Sequence, residues 1–440
     1  MVSLTARIAG TVLSWAPGDE GAAAELAERA AVDTVAGALA AREDPTVLLH
    51  LKALGAPTST EARALLGGLA GHALDYDDVD DLLIGHPSTV LVPALLALAA
   101  ERDLSGSRVV DAFSVGLFVC RQLATVTGID AHYSAGWHAT STIGTVAGAT
   151  ALARLLELDE ERTRCALGIA GSLALGSRQN FGTMTKPLHA GVAASNAVLA
   201  AKLAEAGFTA DPDQLDGPLG FLALHHGADG TPDARVPGPD EMGLNVKLYP
   251  CCYYLHAALD TVLDLHQDVD PDRVEKVEVT VHPGGLRPLI HHRPQTGLQG
   301  KFSMEYAVAA GLLDGRIRLA TFTDEAVRRP AAQALLRKVV VANAEDPPVG
   351  GPRDGAYAVV RITTQDGQVH EGRTDRARGH ASRPVDDAEL RAKWDDCVSF
   401  GRWDEGAAFE ELYTRLRGLR EEASVRSLVD LLVSSVGGAR

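Results

Sequence analysis

Apolar residues recur every three to four positions over most of the first half of the chain, a spacing typical of helices with a buried face. Short breaks of Gly, Pro or Asp separate these segments. Strand patterns are too few in this half to build a sheet. The segments predicted to be helical are residues 20–43, 61–74, 88–101, 107–126, 142–156, 160–176, 188–206 and 253–266.

The pattern changes after residue 268. Residues 277–282 alternate between apolar and polar side chains, as a half-buried strand does, and residues 338–342 are a second strand candidate. Two further strands, 356–364 and 368–374, flank Asp366-Gly367, a dipeptide typical of tight hairpin turns. Helices are predicted again at residues 305–313, 329–338, 386–398, 405–418 and 423–435.

Because both ends of the chain are helical, we predict a mainly α fold: a large all-helical domain with an inserted, smaller α+β lid domain. The expected boundaries are 1–246 for the helical domain, 247–384 for the lid, and 385–440 for the C-terminal helices that return to the helical domain. A chain of 440 residues is long enough for two such domains. The Gly-, Pro- and Asp-rich loop 211–245 is expected to cover or join part of the structure.

The formal net charge of −17 argues against nucleic acid and anionic membranes as partners. An anionic small molecule would need a local basic pocket. Five cysteines, an odd number, fit a reducing compartment. The N-terminus lacks a signal-peptide pattern, and the apolar run 90–100 is too short to span a bilayer, with no longer run expected. The sequence therefore predicts a cytoplasmic protein.

The segment Gly182–Gly191 holds a lysine and a histidine between two predicted helices. Lys186 precedes Pro187 and is expected just outside the helix, because proline disfavours the helical conformation in the residue before it. An ammonium beside the free N–H groups of a helix N-terminus can bind a carboxylate or a phosphate. The alternative is a solvated lysine on a surface turn.

An acidic cluster follows the helix predicted at 61–74. Carboxylates at a helix C-terminus oppose the helix dipole, so they need another reason to be there. The five aspartates between Asp75 and Asp81 could ligate Mg²⁺ or Ca²⁺, but they lack the spacing of an EF-hand. We therefore expect no metal, and keep a metal-dependent hydrolase as an alternative.

Two more segments carry candidate chemistry. His138 lies just before a Gly- and Ala-rich helix, where a histidine is otherwise a packed, hydrogen-bonded residue. Cys251 and Cys252 are adjacent, which does not match the spacing of zinc ligands, and a nucleophilic cysteine would need a neighbouring base. The chain has no dinucleotide-binding glycine motif, no phosphate-binding lysine loop and no serine-hydrolase elbow, which disfavours those enzyme classes.

Six motifs, taken in order, resemble those of the MmgE/PrpD family, which includes 2-methylcitrate dehydratases, cis-aconitate decarboxylase and iminodisuccinate epimerase. The resemblance extends to about residue 435. It implies a homodimer with a site in the cleft between helical and lid domains, no cofactor, and a di- or tricarboxylate substrate. The motifs occupy residues 72–78, 85–88, 136–138, 182–189, 247–252 and 301–306.

Some positions depart from the decarboxylase pattern. Val79 stands where that enzyme has Thr, Cys252 stands where it has a lid His, and residues 82–84 make the loop before His86 apolar. These departures argue against cis-aconitate decarboxylation and against a tricarboxylate. They favour a larger or less charged substrate, such as a secondary metabolite, or a catalytically inactive ligand-binding protein on the same fold.

The leading hypothesis is a cofactor-independent lyase or isomerase that acts at the carbon next to a substrate carboxylate by dehydration, decarboxylation or epimerisation. The resemblance implies active-site residues at Asp75, His86, His138, Lys186, Lys247 and Tyr306. We expect His138 to be a general acid or base and Lys186 to bind carboxylate. Tyr306 is a candidate proton donor or hydrogen-bond donor to a carboxylate, and Asp75 could orient His86 or be a base itself. The expected substrate-binding residues are Lys247, His189, Cys252 and Thr185.

Overall fold

The computed structural model describes residues 2–16, 19–225, 243–344, 357–403 and 406–437. The chain divides into two compact units. The first consists of Met1–Leu244 and Cys397–Arg440, and the second, Asn245–Asp396, is inserted between them. The sequence placed the return to the helical domain at residue 385, whereas the second unit continues to Asp396.

The first unit is helical throughout its described part, apart from short turns and isolated bridges. Its N-terminal portion contains α1 (Leu4–Ser14), α2 (Glu20–Ala40), α3 (Pro45–Leu54), α4 (Thr60–Ala73), α5 (Ser88–Arg102), α6 (Gly106–Thr127), α7 (Ile129–Ser134), α8 (Ala139–Leu155), α9 (Glu160–Leu173), α10 (Thr185–Glu205) and α11 (Phe221–His225). Only α11 and short turns lie in the described part of the predicted loop 211–245, of which residues 226–242 fall outside the described residues.

Four helices of this unit, α1, α3, α7 and α11, were not predicted. Of these, α1 and α3 begin with local capping signals that the spacing of apolar residues does not register. The Ser3 hydroxyl accepts the Ala6 N–H, and the Asp44 carboxylate accepts the Thr46 N–H, with Pro45 at the first position of α3. Capping therefore defined helices that hydrophobic periodicity missed.

Glycine lets α4 and α10 approach closely. A Cβ on Gly68 would lie 2.9 Å from the Cα of Gly191, and a Cβ on Gly191 would lie 2.3 Å from the Leu65 carbonyl oxygen. Neither position has room for a larger residue without movement of the backbone. The close approach sets the distance between residues that follow α4 and residues in the first turns of α10.

The helix α6 is long and apolar enough to cross a bilayer, alone among the described helices. The expectation that the chain has no such segment was therefore wrong, as judged by the length and composition of α6. In the structure, 72% of the most apolar 18-residue window of α6 is buried inside the protein, as in a core helix.

The second unit contains a four-stranded mixed sheet in the order β2-β1-β3-β4. The strands are β1 (Val274–Val281), β2 (Val339–Asn343), β3 (Ala358–Thr364) and β4 (Val369–Thr374). The β1 and β2 strands are parallel, with Val277 opposite Val339, and the other two pairings are antiparallel. Gly367 has φ 81° in the predicted hairpin between β3 and β4, a conformation that glycine adopts without strain.

Helices pack on this sheet to form the core of the second unit, with α12 against β3 and β4 and α14 against β2. The unit's helices are α12 (His256–Leu265), α13 (Gly297–Gly300), α14 (Met304–Asp314), α15 (Asp324–Arg328) and α16 (Pro330–Leu335). The chain ends with α17 (Asp387–Phe400), α18 (Ala407–Arg417) and α19 (Arg426–Gly437). The mainly α fold with a smaller α+β portion is confirmed.

Candidate active site

The site in the first unit begins where α4 ends. Asp75 has φ 54°, in the left-handed region that Asp and Asn tolerate better than most residues, and its N–H donates to the His72 carbonyl. This reversal turns the chain out of the helix. It leaves His72, Asp75 and Asp77 buried and close together.

Asp80 shapes the loop that follows. Its Oδ1 accepts the N–H groups of Leu82 and Leu83, and its Oδ2 lies 3.1 Å from Arg121 Nε. The Asp80 N–H also bonds to the Gly85 carbonyl, which closes the loop. Of the five aspartates considered as metal ligands, Asp80 is thus paired with Arg121 and organises the backbone.

The closed loop carries His86 to a fixed position. Its N–H donates to the Thr140 hydroxyl near the start of α8, at 3.1 Å. The His86 ring lies over His72, with 4.3 Å between ring centroids. Its Nδ1 is 3.2 Å from Asp77 Oδ2, and its Nε2 is 3.7 Å from Asp75 Oδ1. The imidazole therefore stands between two carboxylates.

Lys186 contributes the positive charge. Its Nζ donates to Asp75 Oδ1 at 2.9 Å, and both side chains are buried. The alternative of a solvated surface lysine is thus wrong. So is the expected position outside the helix, because α10 begins at Thr185 and includes Lys186. Pro187 falls in the first turn of α10, where a missing N–H costs no helical hydrogen bond.

His138 and His189 face each other across α8 and α10. Their Nδ1 atoms are 3.1 Å apart, so one must donate and the other accept. Lys186 and His189 are three residues apart in α10, which places both on one helix face. His138 also packs its ring edge-on against Phe181, at 4.8 Å between centroids, and Lys186 Nζ lies 5.7 Å from that same ring.

Burial favours the neutral form of His72, His138 and His189 near physiological pH. It lowers the pKa of His72 to about 4, against the opposing attraction of Asp77. Burial and the Lys186 ammonium lower the pKa of His138 well below its usual range, and the same two causes lower the pKa of His189. Burial alone would raise the pKa of Asp77, but His72 and His86 outweigh it and hold that pKa well below normal.

The arrangement can perform proton transfer beside a bound anion. An ammonium lies within hydrogen-bond distance of a carboxylate, and neutral imidazoles that can accept protons surround it. In a water-poor site such groups act on substrate charge more strongly than in water. Five predicted site residues lie together here: Asp75, His86, His138, Lys186 and His189.

A metal ion could also use four of these side chains. Ligand atoms of His72, Asp75, Asp77 and His86 lie within 4.8 Å of one another. Two observations oppose a divalent cation here. Both Asp77 oxygens accept from His72 Nδ1, and the Lys186 ammonium lies 2.9 Å from Asp75, where it would repel a second positive charge.

The remaining predicted residue of α10, Thr185, is its first residue and is half-buried. Its N–H donates to the Thr183 hydroxyl at 3.2 Å. The apolar loop before His86 is partly structural, because Leu83 is fully buried and Ile84 uses its carbonyl to accept from the Tyr133 hydroxyl. The apolar character of this loop is therefore weaker support for an apolar substrate than the sequence suggested.

Lys247 and Cys252 lie in the second unit. Lys247 is 1% exposed, and its carbonyl accepts the Lys393 ammonium at 2.8 Å. Cys252 is buried, and its backbone N–H donates to the Lys301 carbonyl. This bond brings the predicted motifs 247–252 and 301–306 together within that unit.

Tyr306 is fully buried in the core of the second unit. Its hydroxyl donates to the Thr321 carbonyl at 2.5 Å, and burial raises the pKa of this phenol to about 12. Because the Tyr306 hydroxyl proton bonds to a main-chain carbonyl inside a hydrophobic core, the structure favours a packing role for Tyr306 over the predicted role as proton donor.

Sequence reasoning did not assign His72 and Asp77 to the site. Both belong to the motif 72–78, but the period of α4 gives no reason to place a histidine from its last turn against a carboxylate five residues later. The left-handed turn at Asp75 makes that contact. A histidine in the last helical turn followed by a run of aspartates was the available signal.

Two family models match the chain. Residues 6–232 match the MmgE/PrpD N-terminal domain, and residues 249–413 match the MmgE/PrpD C-terminal domain. The chain is 29% identical to the cis-aconitate decarboxylase of Mus musculus over 348 residues, which cover 75% of this chain and 70% of the mouse protein. It is 28% identical to the Homo sapiens cis-aconitate decarboxylase, covering 75% of this chain and 71% of the human protein.

A fungal cis-aconitate decarboxylase, from Aspergillus terreus, is 26% identical over 84% of this chain and 81% of its own length. These relatives are lyases, and the two domain matches together span most of the sequence. The chain therefore belongs to the MmgE/PrpD family of enzymes, as its six motifs indicated.

Proposed function

We propose that this protein is a lyase that cleaves a bond at the carbon next to a carboxylate of a small di- or tricarboxylate, without a cofactor. The observation that carries the proposal is the buried Lys186 ammonium, 2.9 Å from Asp75 and within one helix turn of His189. The decarboxylase relatives support the reaction class. Decarboxylation is the first reaction to test, and dehydration and epimerisation are the others within reach of the same groups.

All three reactions develop negative charge on the substrate beside a carboxylate. Lys186 would stabilise that charge, since an ammonium in a buried site binds an anion far better than in water. The imidazole of His86 or His138 would accept or return the proton. In this proposal the Lys186 ammonium bonds to Asp75 and the substrate together, or leaves Asp75 to bond to the substrate alone.

Charge balance points to a second cation. With His72, His138 and His189 neutral, the first-unit site sets one ammonium against the carboxylates of Asp75 and Asp77, so a polycarboxylate would gain from a further cation. We propose that Lys247 binds a substrate carboxylate, as the family resemblance implies. Protonation of a histidine on substrate binding would contribute further.

The test is a screen of the purified protein with cis-aconitate, 2-methylcitrate, citrate and iminodisuccinate, followed by NMR of the products. Turnover of one acid, lost in Lys186→Met, supports the proposal. Binding of these acids without turnover would contradict it and favour the ligand-binding alternative. Absence of both would favour a larger, less charged substrate.

We also propose a cytoplasmic homodimer, from the cysteine content and the family resemblance. Light scattering on the purified protein measures the mass directly. A monomer at micromolar concentration would contradict this part of the proposal without bearing on the chemistry.

A further inference from the structure

His72 and His86 share one carboxylate, that of Asp77, which is fully buried. Both Asp77 oxygens lie 2.9 Å from His72 Nδ1, and Oδ2 lies 3.2 Å from His86 Nδ1. An ionised carboxylate can only accept hydrogen bonds. His72 must therefore carry its proton on Nδ1, and His86 is favoured to do the same.

The His86 contact is short but not straight. The distance suits a hydrogen bond, whereas the ring is not aligned to make a regular one. Catalytic hydrogen bonds are often misaligned in an unliganded enzyme and tighten when substrate binds. The opposite edge of the ring, Nε2, faces Asp75 Oδ1 at 3.7 Å, beside the Lys186 ammonium.

We propose that Asp77 is a positioning residue that fixes the Nδ1–H tautomer of His86, with His72 as the second anchor of the carboxylate. This inference rests on the proposed function. In dehydration or epimerisation, His86 Nε2 accepts the proton from the substrate carbon, the electron pair of the broken C–H bond stays on the substrate beside its carboxylate, and Lys186 balances that charge. The proton then leaves with the substrate hydroxyl as water, or a proton returns to the other face of the carbon. In decarboxylation the electron pair of the broken C–C bond stays on the substrate, CO2 leaves, and the His86 imidazolium supplies a proton to that carbon from Nε2. Nδ1–H stays on the ring and bonds to Asp77, which stabilises the imidazolium without accepting its proton.

His72 has a distinct role in this arrangement. It is buried, and its Nε2 has no hydrogen-bond partner within the described part of the chain. A buried polar atom without a partner costs free energy, so the ring is retained for what Nδ1 does. That function is to hold the Asp77 carboxylate through both of its oxygens.

The test measures both the tautomer of His86 and the turnover rate of the enzyme. Two-bond ¹⁵N–¹H NMR of ¹⁵N-histidine-labelled protein reports which ring nitrogen carries the proton, and His86→Gln identifies the His86 signals. We expect wild-type His86 to be Nδ1–H at neutral pH. In Asp77→Asn the tautomer should change and kcat should fall at least a hundredfold, with KM within about threefold, as for other His–Asp pairs.

Asp80→Asn is the matched control. Asp80 is buried in the same loop, but its two backbone hydrogen bonds both use Oδ1, which an amide retains, and the charge that the substitution removes is paired with Arg121. This variant should keep the His86 tautomer and a kcat within about threefold of wild type. Thermal melting of both variants separates loss of folded protein from loss of rate.

The anchor role of His72 has its own pair of variants. His72→Asn keeps an N–H close to the position of Nδ1 and should retain most of kcat, whereas His72→Leu should lower it at least tenfold. Equal losses in both would overturn the anchor role.

A wild-type His86 with Nε2–H, or an Asp77→Asn variant with unchanged tautomer and kcat, would overturn the proposal for Asp77. If the wild-type protein turns over none of the acids, the proposed function fails, while the NMR result still decides the tautomer.

Discussion

The first unit contains two histidine clusters that burial alone does not distinguish. One surrounds Lys186, and the other consists of His132, Trp137, Phe221 and His225. Burial lowers the pKa of His132 to about 4, as it does for His72. The rings of the second cluster stack closely, with 4.5 Å between the centroids of Trp137 and His225.

The clusters differ in what the imidazoles contact. His132 bonds to the His225 carbonyl through Nδ1 and to the Thr142 hydroxyl through Nε2, so both ring nitrogens have neutral partners. His72 and His86 instead lie beside carboxylates, and His138 lies within the field of Lys186. A buried histidine is thus common to structural and functional sites. Charged neighbours separate the two.

The strongest test of this difference between the clusters is to substitute one histidine in each. His138→Gln should lower kcat by about 10²–10⁴-fold, the usual contribution of a positioned acid or base. His132→Gln should leave kcat of the folded protein within about threefold of wild type. Steady-state kinetics on the turned-over acid, with melting curves for both variants, measures the contrast. Equal losses of kcat would mean that the second cluster also takes part in the chemistry.

Removing the ammonium should have the next largest effect. Lys186→Met should lower activity at least a hundredfold, equivalent to about 3 kcal/mol of charge-assisted binding. Lys186→Arg should recover only part of it, because a guanidinium differs in reach and geometry. Turnover of Lys186→Met within about threefold of wild type would contradict the site assignment.

The same substitution should destabilise the fold, because it leaves Asp75 buried without its ammonium. Loss of one partner of a buried ion pair costs about 3 kcal/mol or more. Adding Asp75→Asn should restore part of that stability but none of the activity. Urea unfolding of the single and double variants measures this, and equal stability of Lys186→Met and wild type would show that the pair is not fully formed in solution.

The free energy of unfolding should depend on pH in the same way through His72 in the first cluster and His132 in the second. A histidine with pKa about 4 when folded and about 6.5 when unfolded takes up its proton first in the unfolded state, so stability falls as pH drops from about 6.5 to about 4. Each such residue contributes roughly 3 kcal/mol over that window. Urea unfolding at pH 7.5 and 4.5 should show a smaller loss for His132→Gln. An unchanged loss would contradict the lowered pKa of His132.

Metal removal should have the smallest effect. We expect dialysis against a chelator to leave turnover unchanged, and elemental analysis to find less than stoichiometric metal. Tightly held stoichiometric metal whose removal abolishes turnover would instead make His72, Asp75, Asp77 and His86 a metal centre and favour the hydrolase alternative.

The sequence by itself determined the local elements and the family. Periodicity predicted most helices, alternation predicted β1, and Asp366-Gly367 marked the hairpin between β3 and β4, because these patterns depend on neighbours in the chain. The motifs identified Lys186 and Asp75 as candidates, since residue type and order are preserved in a motif whatever the packing.

Only the tertiary structure decided which side chains meet. Lys186 and Asp75 are 111 positions apart, and their ion pair depends on the close approach of α4 and α10 at Gly68 and Gly191. The burial of Lys186 and the sharing of Asp77 by two imidazoles follow from that packing and from the turn at Asp75. Such contacts are set by the positions of whole helices, which no local pattern in the sequence specifies.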